Sequence, residues 1–169
     1  MRKMFATLFI AISMFFGSLN VVLGNDFKKA TEAYERGDFL TAFNYFKPLA
    51  KQGNARAQHN LGVMYIQGQG VPQDYIKAHM WYAKAAEQGN APAQSNLGVM
   101  YFQGHGVPQD YKIAFKWFAK AAEQGHANAQ NNLGVMYERG HSLPQNYIKA
   151  HMWYNVSIAE AKNKELITI

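Results

Sequence analysis

The stretch Asn60-Leu61-Gly62-Val63-Met64-Tyr65 returns at 96–101 and again at 132–137, with a step of 36 residues each time. Working outward, other positions keep the same step: Gly53, Gly89 and Gly125; Pro72, Pro108 and Pro144; Ala78, Ala114 and Ala150; Trp81, Trp117 and Trp153. A fixed period shared by so many positions marks tandem repeats. One unit of this size cannot bury its apolar face alone, so neighbours must stack.

Each unit reads as two helices. The first runs from about Ala55 to Gln67, where Ala57, Leu61, Met64 and Tyr65 fall on one helical face. Gly62 lies inside it and recurs as Gly98 and Gly134. Glycine there costs about 1 kcal/mol against alanine, so a cost repeated three times predicts close approach of the second helix. Gly68 stops the first helix, and the connection Gly68-Gln69-Gly70-Val71-Pro72-Gln73 leads to Asp74, a good N-cap. Asp38 and Asp110 hold the same place, with Asn146 as the allowed substitute. The second helix, about 75–88, carries Tyr75, Ala78, Trp81, Tyr82, Ala85 and Ala86 at helical spacing and ends at Gly89. Ser142 replaces the glycine of Gly70 and Gly106, which predicts a strained or reshaped third loop if that backbone needs a positive φ.

The chain ends differ from the repeat. Arg2 and Lys3 precede an apolar run from Phe5 to Phe16, too short for a comfortable membrane span and suited to a secretory signal. Cleavage is expected after Gly24, leaving a formal charge of +4 in place of +6 and no membrane attachment. The expected organisation is therefore a signal at 1–24, an opening helix pair at 25–53, three full repeats at 54–160 and a cap or tail at 161–169. The fold class is all-α, an α/α superhelical solenoid of about four helix pairs. The apolar ending Leu166-Ile167-Thr168-Ile169 is expected to cover core or to dock.

Three segments now carry a resemblance. Ala55-Arg56-Ala57-Gln58 through Leu61-Gly62 and Tyr65, then Gly68-x-Gly70-Val71-x-x-Asp74, then Lys77-Ala78-x-x-Trp81-Tyr82-x-Lys84-Ala85-Ala86-Glu87-Gln88-Gly89, resemble the Sel1-like repeat. The pattern restarts at Ala91 and Ala127, so the resemblance covers about 53–160. The pair at 25–53, which lacks the long glycine loop, resembles a tetratricopeptide repeat. Both families imply a right-handed superhelix of helix pairs serving as an interaction scaffold for a protein or peptide.

Little in the sequence points to catalysis. There is no cysteine, which removes disulfides, thiolate chemistry and cysteine metal sites. A balance of +4 without a dense basic run does not argue for nucleic acid. No Ser-x-x-Lys, Gly-x-Ser-x-Gly or His-Glu-x-x-His occurs. The glycine loops recur with the repeat and read as connectors, so no nucleotide or other cofactor is expected. His105 and His141 share one phase and His79 and His151 another, but two histidines make a poor metal site; they read as solvated residues. The three tryptophans, with Tyr65, Tyr101 and Tyr137, read as core. Some Sel1-like proteins carry a β-lactamase label, but those relatives are cysteine-rich and no nucleophile with a base is evident here. The chain is not expected to be an enzyme. A peptidoglycan-binding or processing module and, more weakly, a β-lactamase-type hydrolase are the alternatives to a protein-binding scaffold in the periplasm or beyond it.

In tetratricopeptide-like solenoids the first helix of each pair lines the concave side, so the resemblance implies where a partner binds. The candidates are Arg56, His59, Asn60 and Val63 in the first full repeat, then Ser95, Asn96, Val99 and Phe102, and finally Asn131, Asn132, Val135 and Arg139. Asn60, Asn96 and Asn132 stand one repeat apart. A carboxamide offers two donors and an acceptor, enough to grip a peptide backbone regardless of its sequence. The alternative is that these asparagines bond a neighbouring helix as part of the repeat.

Overall fold

The structure, a computed structural model, describes residues 25–167, with side chains described as far as Ala161. Eight helices and no strand occur among these residues. They are α1 (25–35), α2 (Phe39–Lys51), α3 (Ala55–Gln67), α4 (Tyr75–Glu87), α5 (Ala91–Gln103), α6 (Tyr111–Glu123), α7 (Ala127–Arg139) and α8 (Tyr147–Ile167). From α2 to α8 each helix packs chiefly on the helices before and after it in sequence, the nearest-neighbour stacking of a solenoid. The expected signal at 1–24 and the last two residues of the tail lie outside the described residues.

The second helices start where the sequence places their caps. The side chains of Asp38, Asp74, Asp110 and Asn146 accept from the amides of Thr41, Lys77, Ile113 and Lys149, the last three at 2.9 Å. The first helices are capped by Asn54, Asn90 and His126, which accept from Ala57, Ala93 and Ala129. Each first helix ends on a glycine in the left-handed region, Gly68, Gly104 or Gly140. Gln73, Gln109 and Gln145 then fold the loop back by donating to the carbonyls of Ile66, Phe102 and Glu138.

The repeated helix-interior glycine has the predicted cause. A β-carbon on Gly98 would meet the Phe118 ring at 2.6 Å, and one on Gly62 or Gly134 would collide with the ring of Tyr82 or Tyr154. The two helices of a pair approach at these three points. Gly70 and Gly106 have φ of +71° and +73°, and Ser142 keeps the same left-handed backbone at +59°. The third loop therefore retains its shape and carries the strain of a side chain at positive φ.

The core is a chain of clusters along the stack. Phe43, Phe46, Leu49, Leu61 and Met64 fill the first, Tyr82, Leu97 and Met100 the next, and Phe118, Leu133 and Met136 the third. Trp81 is buried in the first cluster, between its own repeat and the preceding one. Trp117 and Trp153 pack on the second and third clusters but are half-buried, so the expectation of core tryptophans holds fully for Trp81 alone. Lys84 and Lys120 lie over the rings of Trp81 and Trp117.

The last helix is longer than its counterparts. Where Gly89 and Gly125 end the interior pairs, Ala161 stands, and α8 runs on to Ile167. No residue at that point favours a left-handed exit, so the helix continues.

Candidate interaction site on the first helices

The polar row on α3 and α5 closes into one cluster. His59 Nδ1 lies 3.3 Å from Asn60 Oδ1, and Asn96 Nδ2 lies 3.2 Å from His59 Nε2. Both contacts are satisfied when Nδ1 carries the proton and donates to Asn60, while bare Nε2 accepts from Asn96. Burial lowers the His59 pKa and the charge of His126 lowers it further, against the opposing bond to Asn60. The imidazole is thereby held neutral, the state this bonding needs. The His59 ring lies 5.7 Å from that of Tyr82. The Tyr82 hydroxyl bonds Asn96, while burial raises its pKa.

Two hollows flank the cluster. One, of about 410 Å³, is lined by Thr31, Tyr34, Glu35, Phe46, His59, Asn60 and Val63. Its floor is apolar, from Phe46 and Val63, and its wall comes from α1. The other, of about 110 Å³, includes Ile66, Tyr82, Asn96, Val99 and Gln103. A groove with an apolar floor and a few fixed carboxamides and hydroxyls suits a ligand that offers both backbone amides and side chains.

The remaining candidates divide. Asn132 is half-buried and has none of the bonds that tie Asn60 and Asn96 to His59. Asn131 and Arg139 are exposed and Val135 is half-buried. Arg56 is exposed, with its guanidinium 4.5 Å over the Phe27 ring of α1. Ser95 is a correction: it is only 3% exposed, its short side chain lying below its larger neighbours, so it lines no surface. Phe102 is a partial one. Its ring packs edge-on to Tyr111 at 5.2 Å and His141 at 5.4 Å, against the third core cluster, and so braces the loop.

Sequence reasoning missed three features. Gln58, Gln94 and Gln130 are buried and donate to the carbonyls of Ala50, Ala86 and Ala122, clasping each repeat to the one before. Their recurrence at the 36-residue step was the available signal. The histidines of the loops are not simply solvated: His105 lies against Tyr75, and His141 stacks on Tyr111 with ring centroids 4.2 Å apart. His79 Nε2 lies 3.2 Å from the Tyr101 hydroxyl. The α1 contribution to the larger hollow, Thr31, Tyr34 and Glu35, had no periodic signal because α1 belongs to the divergent pair. Among the described residues no three His, Cys, Asp or Glu side chains gather to hold a metal, and no helix is long and apolar enough to cross a membrane.

Comparison with known proteins agrees with the architecture. The family described as Sel1 repeat matches residues 27–54, 55–90, 91–126 and 127–159, including the opening pair without the long loop. The chain is similar to a Sel1 repeat protein of Oxalobacter formigenes, at 34% identity and a TM-score of 0.75, over 79% of this chain and 54% of that one. It is also similar to a protective antigen of uropathogenic Escherichia coli with an SLR fold, at 38% identity and a TM-score of 0.77, over 82% of this chain and 30% of that one. Among curated proteins, the rat DAP3-binding cell death enhancer 1 is 41% identical over 44 residues, 26% of this chain. The chain spans about half or less of the length of these solved structures and 9% of that curated relative.

Proposed function

The chain belongs to the Sel1 repeat family, and on that premise we propose that it is an exported scaffold holding a protein or peptide along the concave row of α3, α5 and α7. The observation that carries this reading is the His59–Asn60–Asn96 cluster set between two hollows. An extended segment laid across it meets carboxamides that pair with backbone groups and apolar floors that take side chains. Asn132 continues the row one repeat on, with its donors and acceptor uncommitted to His59. Export is supported by Arg2 and Lys3 ahead of the apolar run at 5–16, and it places the partner in the periplasm or outside the cell. The scaffold reading needs no catalytic group and uses none.

Crosslinking capture with the exported protein tests the proposal. A protein partner is expected, lost in Asn132→Ala while the melting point stays unchanged. Asn132 is the variant of choice because Asn96 also holds His59, so its loss mixes binding with structure. No partner above background, or a partner retained by Asn132→Ala and Val63→Asp alike, counts against the concave row. Recovery of the exported chain with residues 1–24 still attached counts against cleavage.

A further inference from the structure

Resting on the concave-row reading, we propose that the larger hollow beside His59 receives a lysine or arginine side chain of the bound segment, and that Glu35 selects it. The walls of this hollow have already given away most of their protons. Thr31 Oγ1 donates to the Phe27 carbonyl at 2.7 Å. The Tyr34 hydroxyl donates to Gln69 Oε1 at 2.6 Å, with Gln67 Oε1 also in reach at 3.1 Å. His59 spends its Nδ1 proton on Asn60 Oδ1. All of these groups line the hollow, and the two hydroxyl oxygens keep lone pairs after their protons are committed.

Glu35 adds two more acceptor oxygens. It is the one acidic side chain on the lining, and no lysine or arginine stands there with it. Among the described residues its side chain has neither a hydrogen bond nor an ion pair. The basic residues nearby are engaged elsewhere. Lys28 and Lys29 reach Glu32 and Asp26 within α1, and the Arg56 guanidinium lies over the Phe27 ring. Arg36, next in sequence, does not line the hollow. Asn60 Nδ2 is the donor that remains, and it suits a backbone carbonyl of the same segment.

Acceptors around an apolar floor fit one kind of side chain. A lysine or arginine lays its methylene stem on Phe46 and Val63 and carries donors, with no acceptor, to Glu35, Thr31 and Tyr34. A space of about 410 Å³ admits either head. An acidic side chain would set its oxygens against those of the wall. A purely apolar one would cover the wall oxygens and leave them without a donor.

Panning a phage-displayed library of random linear peptides on the exported protein reads the preference directly. The recovered peptides are expected to share a lysine or arginine at one place. In a synthetic copy of one such peptide, replacing that residue by norleucine keeps the stem and drops the head. Fluorescence polarisation is expected to show binding weakened about fivefold, the scale of an exposed ion pair. Glu35→Gln, at an exposed position, is expected to give the same loss, and the two changes together no more than either alone. Panning on Glu35→Lys should recover peptides with aspartate or glutamate at that place. Glu32→Gln is the control, since Glu32 is exposed on the same helix but does not line the hollow, and the basic preference is expected to survive it. A norleucine loss as large in Glu35→Gln as in the parent overturns the proposal. Peptides lost by Asn132→Ala that carry no basic residue overturn the role of Glu35 and leave the concave row standing. Recovery of no peptide at all counts against both.

Discussion

Gln130 shows how one side chain can betray the end of a repeat. In the interior joints Gln88 Nε2 donates to Gln58 Oε1 at 2.7 Å, and Gln124 Nε2 to Gln94 Oε1 at 2.8 Å. Thirty residues beyond Gln130 stands Glu160, whose side chain lacks the amide N–H that Gln88 and Gln124 donate. Gln130 Oε1 is accordingly buried without a donor among the described residues, a state that costs about 1–3 kcal/mol. Glu160→Gln is expected to restore the clasp and raise stability by about 1 kcal/mol, read as a higher urea midpoint with an unchanged slope. The mirror change, Gln124→Glu, should lower it; a Glu160→Gln protein no more stable than the parent would refute the account. The sequence alone made Gly62, Gly98 and Gly134 legible, because a helix-breaking residue repeated in phase demands a steric cause. It left Glu160 opaque. A carboxylate near a helix end reads as ordinary surface until the residue opposite it is known.

At the level of elements, the boundaries were the most readable feature, since each is written in cap chemistry rather than in propensity. Every second helix begins one residue after an Asp or Asn whose side chain takes an orphan amide, and every full first helix ends on a left-handed glycine. Asp110→Ala should cost about 1 kcal/mol, the usual value of an N-cap, whereas Asp110→Asn, which copies Asn146, should cost less than half as much. Chemical denaturation of the two variants checks the ranking, and equal losses would assign the effect to charge rather than capping. What the periodicity could not supply was the fate of α8. Its opening copies the repeat, but the stretch after Tyr154 keeps no repeat signal. Whether a helix goes on past a missing stop depends on tertiary contacts such as Ser157 Oγ donating to the Ala127 carbonyl. The ring pairs at the joints were hidden for a related reason: each unites residues from neighbouring repeats, and a one-dimensional period does not show which phases face each other.

For the whole molecule, nearest-neighbour packing means that each joint contributes separately, and a joint that titrates sets a pH dependence for the rod. Burial lowers the pKa of both His59 and His79. The folded chain therefore binds fewer protons than the unfolded chain just below the ordinary histidine value of about 6.5. Stability rises with pH across that window and falls as the pH drops through it. The geometry agrees at His59, whose Nε2 accepts from Asn96 only while it is bare. Asp74 works in a lower window. The Lys77 amide holds its pKa down, so its contribution is present above the usual carboxylate range and fades only in stronger acid. Between pH 7 and pH 5 the loss should thus belong to the histidines. The melting temperature is expected to fall over that interval, and His59→Gln, which can bond Asn60 and Asn96 without titrating, should flatten the fall while leaving the decline below pH 4 in place. A flat profile from pH 7 to pH 5 in the parent protein would show that the polar row of α3 and α5 is not coupled to folding.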